Sequence, residues 1–273
     1  MNRSFFKLLI LAVFFSACNF GESDNHKQTE ELQIVSEVES VEYPKLLIKA
    51  LDAHGGLKNW QKYAGLRYRI HSTLGGNRLE NQLINLKNRK VKIIADAYTL
   101  GMDGKEVWVS PNLAAFGNLS PRFYHNLVFY FYAMPFVLAD KGIQYEELGD
   151  RELDGKLYKA LRISYKAGVG DSPEDFYIAH FNPETYQLEA LLYTVTYFSG
   201  EQNEKYNCLL YPRWNEVEGL LLPEQLEGHK FAADTIGELR YTIQITKPVL
   251  SQSSPADSLF SLPATAEIDS LKK

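Results

Sequence analysis

The chain has 273 residues, with 29 Lys and Arg set against 34 Asp and Glu, for a formal net charge of −5. An acidic chain whose basic residues are scattered rather than striped lacks the electrostatic footprint of a nucleic-acid binder. Two cysteines leave no scope for a disulfide scaffold, and the length suits one large domain or two small ones.

Arg3 and Lys7 flank the start of an apolar run from Leu8 to Phe15, and Phe15-Ser16-Ala17-Cys18 closes it. Basic residues, a short greasy segment and small residues before a cysteine are the marks of a bacterial lipoprotein signal. Eight strongly apolar residues fall far short of the roughly 20 needed to span a bilayer, so residues 1–17 read as a cleaved signal. Cys18 is then the lipidated first residue and anchors the chain to a membrane. Phe15 stands where such signals usually carry Leu. Asn19 follows Cys18, and Asp at that position resembles an inner-membrane retention signal, so the expected address is the outer membrane, on either its periplasmic or its surface face.

Loss of Arg3 and Lys7 takes the net charge near −7. Residues 18–42 are polar and acidic, with Glu22, Asp24, Glu30, Glu31, Glu37 and Glu39, and bury too little apolar surface to fold. They form a tether whose root-mean-square span is about 25 to 30 Å. A domain is expected over residues 43–265, followed by a tail, 266–273.

The segment from Pro44 to His54 reads as a helix with Pro44 first, Leu46, Leu47, Ala50 and Leu51 on one face, and Gly55-Gly56 at its end. A second short helical piece covers residues 57–63. From Leu66 the apolar period changes to two. Strand-like runs fall at about residues 66–74, 78–86, 90–97, 105–109, 143–149, 157–165, 175–181, 187–197, 205–211, 219–229 and 238–247. Gly75-Gly76, Asp103-Gly104, Asp154-Gly155 and Asn182-Pro183 punctuate them as tight turns. The pattern predicts a mainly β (α+β) domain, a meander of about 11 antiparallel strands with helices on one face. Cys208 reads as a small apolar residue buried in a strand. The end of the chain after Ser251 looks loosely packed apart from Leu259-Phe260 and Leu262.

One segment interrupts the sheet. Residues 123–139, FYHNLVFYFYAMPFVLA, are too few to span a membrane and too apolar all round for a surface helix. They predict a helix reaching Phe131 to Met134 and broken around Pro135. It either plugs the sheet as core or lies as a lid over a cavity. Successive helical residues are rotated by about 100°, so Phe129, Tyr130, Phe131, Tyr132 and Phe136 cannot all face one surface. Candidate ligand contacts are therefore Tyr124, His125, Phe129, Phe131, Tyr132 and Phe136, with Trp108 on a neighbouring strand as a wall.

The six histidines never take the i, i+4 spacing of a helical zinc site. HExxH, CxxC, EF-hand, GxxxxGKS and GxSxG motifs are absent from the sequence. No metal or cofactor is expected. Residues 150–155 read as a solvated turn rather than a calcium loop, and His125 is the one histidine placed to serve as a base.

The helix ending in Ala53-His54-Gly55-Gly56, the aromatic-interrupted sheet, the run Val217-Glu218-Gly219-Leu220-Leu221-Leu222-Pro223 and the closing Leu259-Phe260-Ser261-Leu262-Pro263, behind a lipobox, resemble the LolA/LolB-like lipoprotein carriers. DGKEVWVSP (residues 103–111) and RFYHNLVFYFYAMPFVLAD (residues 122–140) more closely resemble a family of uncharacterised bacterial envelope lipoproteins placed near that group. The resemblance covers about residues 43–265. It implies a curved antiparallel half-barrel whose concave apolar face is covered by helices, with lipid-like molecules held between them. It carries over no functional residue, since the carriers' basic acyl hook and receptor-contact loop find no match here. The expected function is a non-enzymatic, membrane-tethered binder or carrier of a lipid or other apolar molecule, with no nucleic-acid partner. A structural lipoprotein with a filled core and an envelope hydrolase using His125 are the alternatives.

Overall fold

The computed structural model describes residues 42–270 except Ala167 and Val169. The expected signal, Cys18 and most of the tether lie outside the described residues.

Two helices open the domain, α1 (Lys45–Ala53) and α2 (Leu57–Trp60). Pro44 caps α1 from outside the helix rather than forming its first turn, and Leu46, Leu47, Ala50 and Leu51 are buried as the periodicity requires. Gly55 and Gly56 end it with φ of 100° and 87°. At Gly55 a Cβ would stand 2.1 Å from the carbonyl oxygen of Gly219, so only glycine lets the chain pass that turn.

The strands are β1 (Gly65–Ser72), β2 (Arg78–Asn85), β3 (Val91–Ile94), β4 (Thr99–Met102) and β5 (Val107–Ser110) before the interruption. After it come β6 (Ile143–Leu153), β7 (Lys156–Tyr165), β8 (Tyr177–Phe181), β9 (Leu188–Tyr193), β10 (Asn207–Val217), β11 (Leu220–Ala232), β12 (Thr235–Ser251) and β13 (Glu267–Ile268). All pair antiparallel in one open sheet ordered β13-β5-β4-β3-β2-β1-β12-β11-β10-β9-β8-β7-β6. The sheet is thus two meanders joined where β1 meets β12. The predicted turns recur, with positive φ at Gly75, Gly76, Gly104, Asp154 and Gly155.

Two strands were not anticipated. In β4, Gly101 lies in register with Trp108 of β5. A Cβ there would stand 2.2 Å from the indole Cζ2, so the missing side chain makes room for a large cross-strand neighbour. The other is β13, which pairs with β5 and shows that the end of the chain is more firmly packed than expected. Phe260 is also fully buried there, whereas Leu259 and Leu262 remain exposed.

The interrupting segment forms α3 (Pro121–Tyr132), then a turn and a 3₁₀ helix over Phe136–Ala139, so the break falls at Pro135 as predicted. Ser120 Oγ accepts from the Phe123 amide at 3.3 Å and Pro121 takes the first turn, both usual for a helix start. Its position follows from topology. β5 lies next to one edge of the sheet and β6 forms the other, so the chain between them must cross from side to side. In a flat sheet β3 and β7, eight strand intervals apart, would be separated by about 38 Å at about 4.8 Å per interval. Instead Val91 of β3 and Tyr165 of β7 line the same cavity beside α3. The sheet is therefore strongly curved, and α3 runs inside it.

The main core lies between the concave face and the helices, with Tyr68, Ile84, Leu161, Phe181, Leu191, Leu209 and Ile243 from the sheet and Leu47, Tyr124 and Phe131 from above. A smaller cluster on the other face holds Cys208, whose thiol is pushed up to about 12 by burial. Among the described residues both clusters fall within the compact unit Glu42–Lys273.

Candidate functional site

α3 presents two opposed stripes. Tyr124, Val128, Phe131 and Tyr132 are buried, and the spacing i, i+4, i+7, i+8 sets them on one face, toward the sheet. The Tyr124 hydroxyl lies 3.1 Å from each Glu80 carboxylate oxygen. Phe131 meets Tyr193 edge to face at 4.9 Å, and its carbonyl accepts from the Tyr211 hydroxyl at 3.1 Å. Tyr132 packs on Tyr68 with ring centres 4.4 Å apart. Phe136, beyond the helix, stacks on Trp60 at 4.8 Å. These four candidates fill space between helices and sheet.

The opposite stripe, Phe123, Asn126, Leu127 and Tyr130, borders a cavity of about 510 Å³. Its flanks are Arg89, Val91 and Met102 on one side and Tyr165, Tyr177 and the loop carrying Asp171 on the other. By exposed surface the lining is mainly apolar, and charged side chains, among them Arg89, Lys105, Asp140, Lys141 and Asp171, also line it. Tyr130 and Tyr165 share a hydroxyl hydrogen bond of 2.5 Å. Arg89 Nη2 donates to both oxygens of Asp140 at 2.8 Å, and its guanidinium stacks 4.9 Å from the Phe129 ring centre. Burial raises the Asp140 carboxyl against the opposing pull of Arg89. Burial also raises Asp175, which accepts from the Thr196 amide at 2.7 Å.

Of the sequence candidates, His125 and Phe129 reach this cavity. His125 is 2% exposed, and neither ring nitrogen has a hydrogen-bond partner among the described residues. Burial, helped by the charge of Arg122, holds its pKa down to about 3. Trp108 lies elsewhere. Val107 and Val109 join the concave core, so strand alternation turns Trp108 to the other face, where its Nε1 donates to the Phe260 carbonyl at 3.3 Å. It is not a wall of this cavity. Tyr165, Tyr177, Arg89 and Asp140 were missed by sequence reasoning, because nothing in a strand end or a turn announces which helix it will meet.

His125 lacks the neighbours of a hydrolytic base. No carboxylate orients it and no hydroxyl or thiol donates to it among the described residues, whereas nucleophilic catalysis needs both partners. No cluster of three or more His, Cys, Asp or Glu suited to a metal occurs among the described residues. No described helix is long and apolar enough to cross a membrane.

A second, polar network lies beneath α3. Glu80 accepts from the hydroxyls of Tyr98 and Tyr124 and from Gln82 Nε2, the last at 2.7 Å. Arg78 donates to the Tyr98 hydroxyl at 2.7 Å and to the Phe116 carbonyl at 2.9 Å. Burial raises the Glu80 carboxyl, opposed by these donors and by Arg78.

A family model described as "Family of unknown function (DUF6503)" matches residues 87–207, a stretch that contains α3 and both flanks of the cavity. No curated protein matches the chain. Among solved structures, similarity is found to a LolA superfamily protein from Nitrosomonas europaea, at 11% identity and a TM-score of 0.46, covering 79% of this chain and 96% of that one. A DUF1329 family protein from Desulfovibrio piger aligns at 13% identity and a TM-score of 0.47, covering 78% and 95%. The Mycobacterium tuberculosis lipoprotein LppX aligns at 9% identity and a TM-score of 0.25, covering 77% and 97%. By its own strand order this fold is an open, curved antiparallel half-barrel.

Proposed function

We propose that this domain binds or carries a lipid or other apolar molecule in the cavity beside α3, without catalysing a reaction on it. The observation that carries the proposal is the cavity itself, about 510 Å³ with a lining whose exposed surface is mainly apolar, which lies within the usual 300–1,000 Å³ of ligand pockets. A bound chain gains about 0.8 kcal/mol per buried methylene, so about ten methylenes supply about 8 kcal/mol against the cost of ordering the ligand. Phe129, Leu127, Tyr130, Tyr165 and Tyr177 are the assigned apolar contacts, while Tyr124, Phe131, Tyr132 and Phe136 support the helix from below. Cys18 lipidation would hold the domain at the outer membrane on its acidic tether.

The test uses residues 42–273 purified without detergent. Native mass spectrometry should reveal a co-purified lipid, and N-phenyl-1-naphthylamine should brighten on binding and be displaced by fatty-acid probes. A folded domain that carries nothing and binds neither the dye nor any acyl probe would replace this reading with that of a structural lipoprotein.

A further inference from the structure

Basic residues that look scattered along the sequence gather on one part of the sheet. Leu66, Tyr68 and Ile70 of β1, Ile84 of β2, Val91 and Ile93 of β3, and Ile243 and Ile245 of β12 belong to the concave core, so alternation sends their neighbours to the outer face. Register then lays two rows across β3, β2, β1 and β12. Lys92, Leu83, Arg67 and Val249 form one, and Ile94, Asn81, Arg69 and Thr246 form the next. Between the rows β12 carries a bulge, where the register shifts between Arg67 and Arg69 and Lys247 takes a φ of 54°. Bulges re-aim side chains, and Lys247 joins Arg67 and Arg69 around one hollow that Asn81 and Val249 also line.

The charge of this face has one sign. No Asp or Glu stands in either row, in a chain whose acids outnumber its bases by 34 to 29. Arg67, Arg69 and Lys247 are exposed, and neither they nor Lys92 make an ion pair among the described residues. Like charges on neighbouring strands repel, so the free domain gains nothing from the clustering. Aliphatic side chains stand among the cations, with Ile94 46% exposed, Val249 45% and Leu79, two residues before Asn81 on β2, 64%. We propose that this outer face of β3, β2, β1 and β12 docks on an anionic phospholipid surface. The lipid phosphates supply the missing negative charge, and each Lys or Arg held near them raises partition about fivefold. Ile94, Val249 and Leu79 leave water on entering the headgroup region, a gain that a soluble polyanion does not offer. The expected anchor at Cys18 would keep a membrane within reach of the tether, and the proposal is independent of what the cavity holds.

The test uses the chain from Asn19 onward, which lacks only the expected signal and Cys18 and so reports on the face without the anchor. It is sedimented with vesicles of phosphatidylcholine alone and of phosphatidylcholine mixed with phosphatidylglycerol. At about 0.1 M salt wild type should bind the mixed vesicles and not the neutral ones, and about 1 M salt, which cuts the screening length from about 10 Å to about 3 Å, should release it. Replacing Arg67, Arg69 and Lys247 together by Gln should lower partition about 100-fold, with the urea midpoint unchanged or raised. Replacing Lys45, Lys156 and Lys205 by Gln changes the net charge equally but leaves this face intact, and should keep partition within about threefold of wild type, since at about 0.1 M salt charges more than about 10 Å from the surface are largely screened. Equal partition of the two triple variants overturns the proposal. Should the first of them not fold, wild type decides, since failure to bind the mixed vesicles, equal binding to both kinds, or retention at about 1 M salt overturns it too.

Discussion

The Tyr124 hydroxyl lies 3.1 Å from both carboxylate oxygens of Glu80 and so ties the middle of α3 to β2. The carboxyl's raised pKa reflects burial, and Tyr124 is among the donors that oppose it. Tyr124→Phe should therefore destabilise the domain by about 1–3 kcal/mol, the usual cost of leaving a buried acceptor short of a partner. The sign with pH follows from the raised pKa. Protonated Glu80 suits the fold, so stability at this site is full below the ordinary carboxyl value and declines as pH rises through the raised one. Urea titrations at pH 7 and pH 4 should show a larger loss for Tyr124→Phe at pH 7. Equal losses at both would mean that the phenol does not stabilise a charged carboxylate.

Buried histidines give the opposite slope. His125 is depressed to about 3, and His54 and His180 to about 4, by burial. Each is neutral in the fold and takes a proton when unfolded below about 6.5. Their contribution is present above pH 6.5 and is lost as pH falls toward 4 and 3. His54 is fixed as a neutral ring, with Nδ1 2.7 Å from the Ala50 carbonyl and Nε2 accepting from the Leu188 amide at 3.3 Å. His125→Phe should flatten the stability curve between pH 6.5 and 3. It should also raise stability of the ligand-free domain at pH 7, because it removes two unpaired buried nitrogens. A steeper acid limb in the variant would refute this assignment.

Sequence patterning made the class of fold and the position of α3 legible, because period-two runs and an all-round apolar segment are local signals. The count of strands was less so. β4 is only four residues long and carries Gly101, which has no side chain to show a strand's alternation, and β13 is only two residues long. The candidate site was partly legible. A greasy helix must meet two surfaces, but which side chain meets which depends on its phase, so Tyr124 and Phe131 fill the core while Phe129 reaches the cavity. Tyr165 and Arg89 come together only through the sheet's curvature, which no spacing along the chain encodes.

The Gly101–Trp108 pair can be tested by exchange. A Cβ on Gly101 would stand 2.2 Å from the indole, so Gly101→Ala should destabilise by about 1–3 kcal/mol through overpacking. Adding Trp108→Leu should recover part of that loss, a coupling expected only of residues in contact. Strictly additive losses in thermal or urea unfolding would show that the two positions do not share this space.

The anchor is tested in cells. Phe15-Ser16-Ala17-Cys18 behind a short apolar run makes Cys18 the expected lipidation site. Cys18→Ser should leave an unprocessed precursor that takes up no fatty-acid label, while wild type labels and fractionates with the outer membrane. Equal labelling of the two chains would rule out Cys18 as the attachment point.

The two stripes of α3 give the sharpest separation of folding from binding. Phe131 is fully buried against Tyr193, and Phe131→Ala should cost about 3–5 kcal/mol through lost transfer energy and the void left behind. Leu127 is half-buried on the cavity side. Leu127→Ala removes less packed surface and should cost about 1 kcal/mol or less, yet it strips an apolar contact from a ligand chain. The expected pattern is therefore crossed. Leu127→Ala should weaken dye binding severalfold with nearly unchanged unfolding, whereas Phe131→Ala should lower the urea midpoint strongly. If Leu127→Ala leaves dye affinity at the wild-type value while Phe131→Ala loses binding only in proportion to the fraction unfolded, the cavity beside α3 is not where the ligand sits.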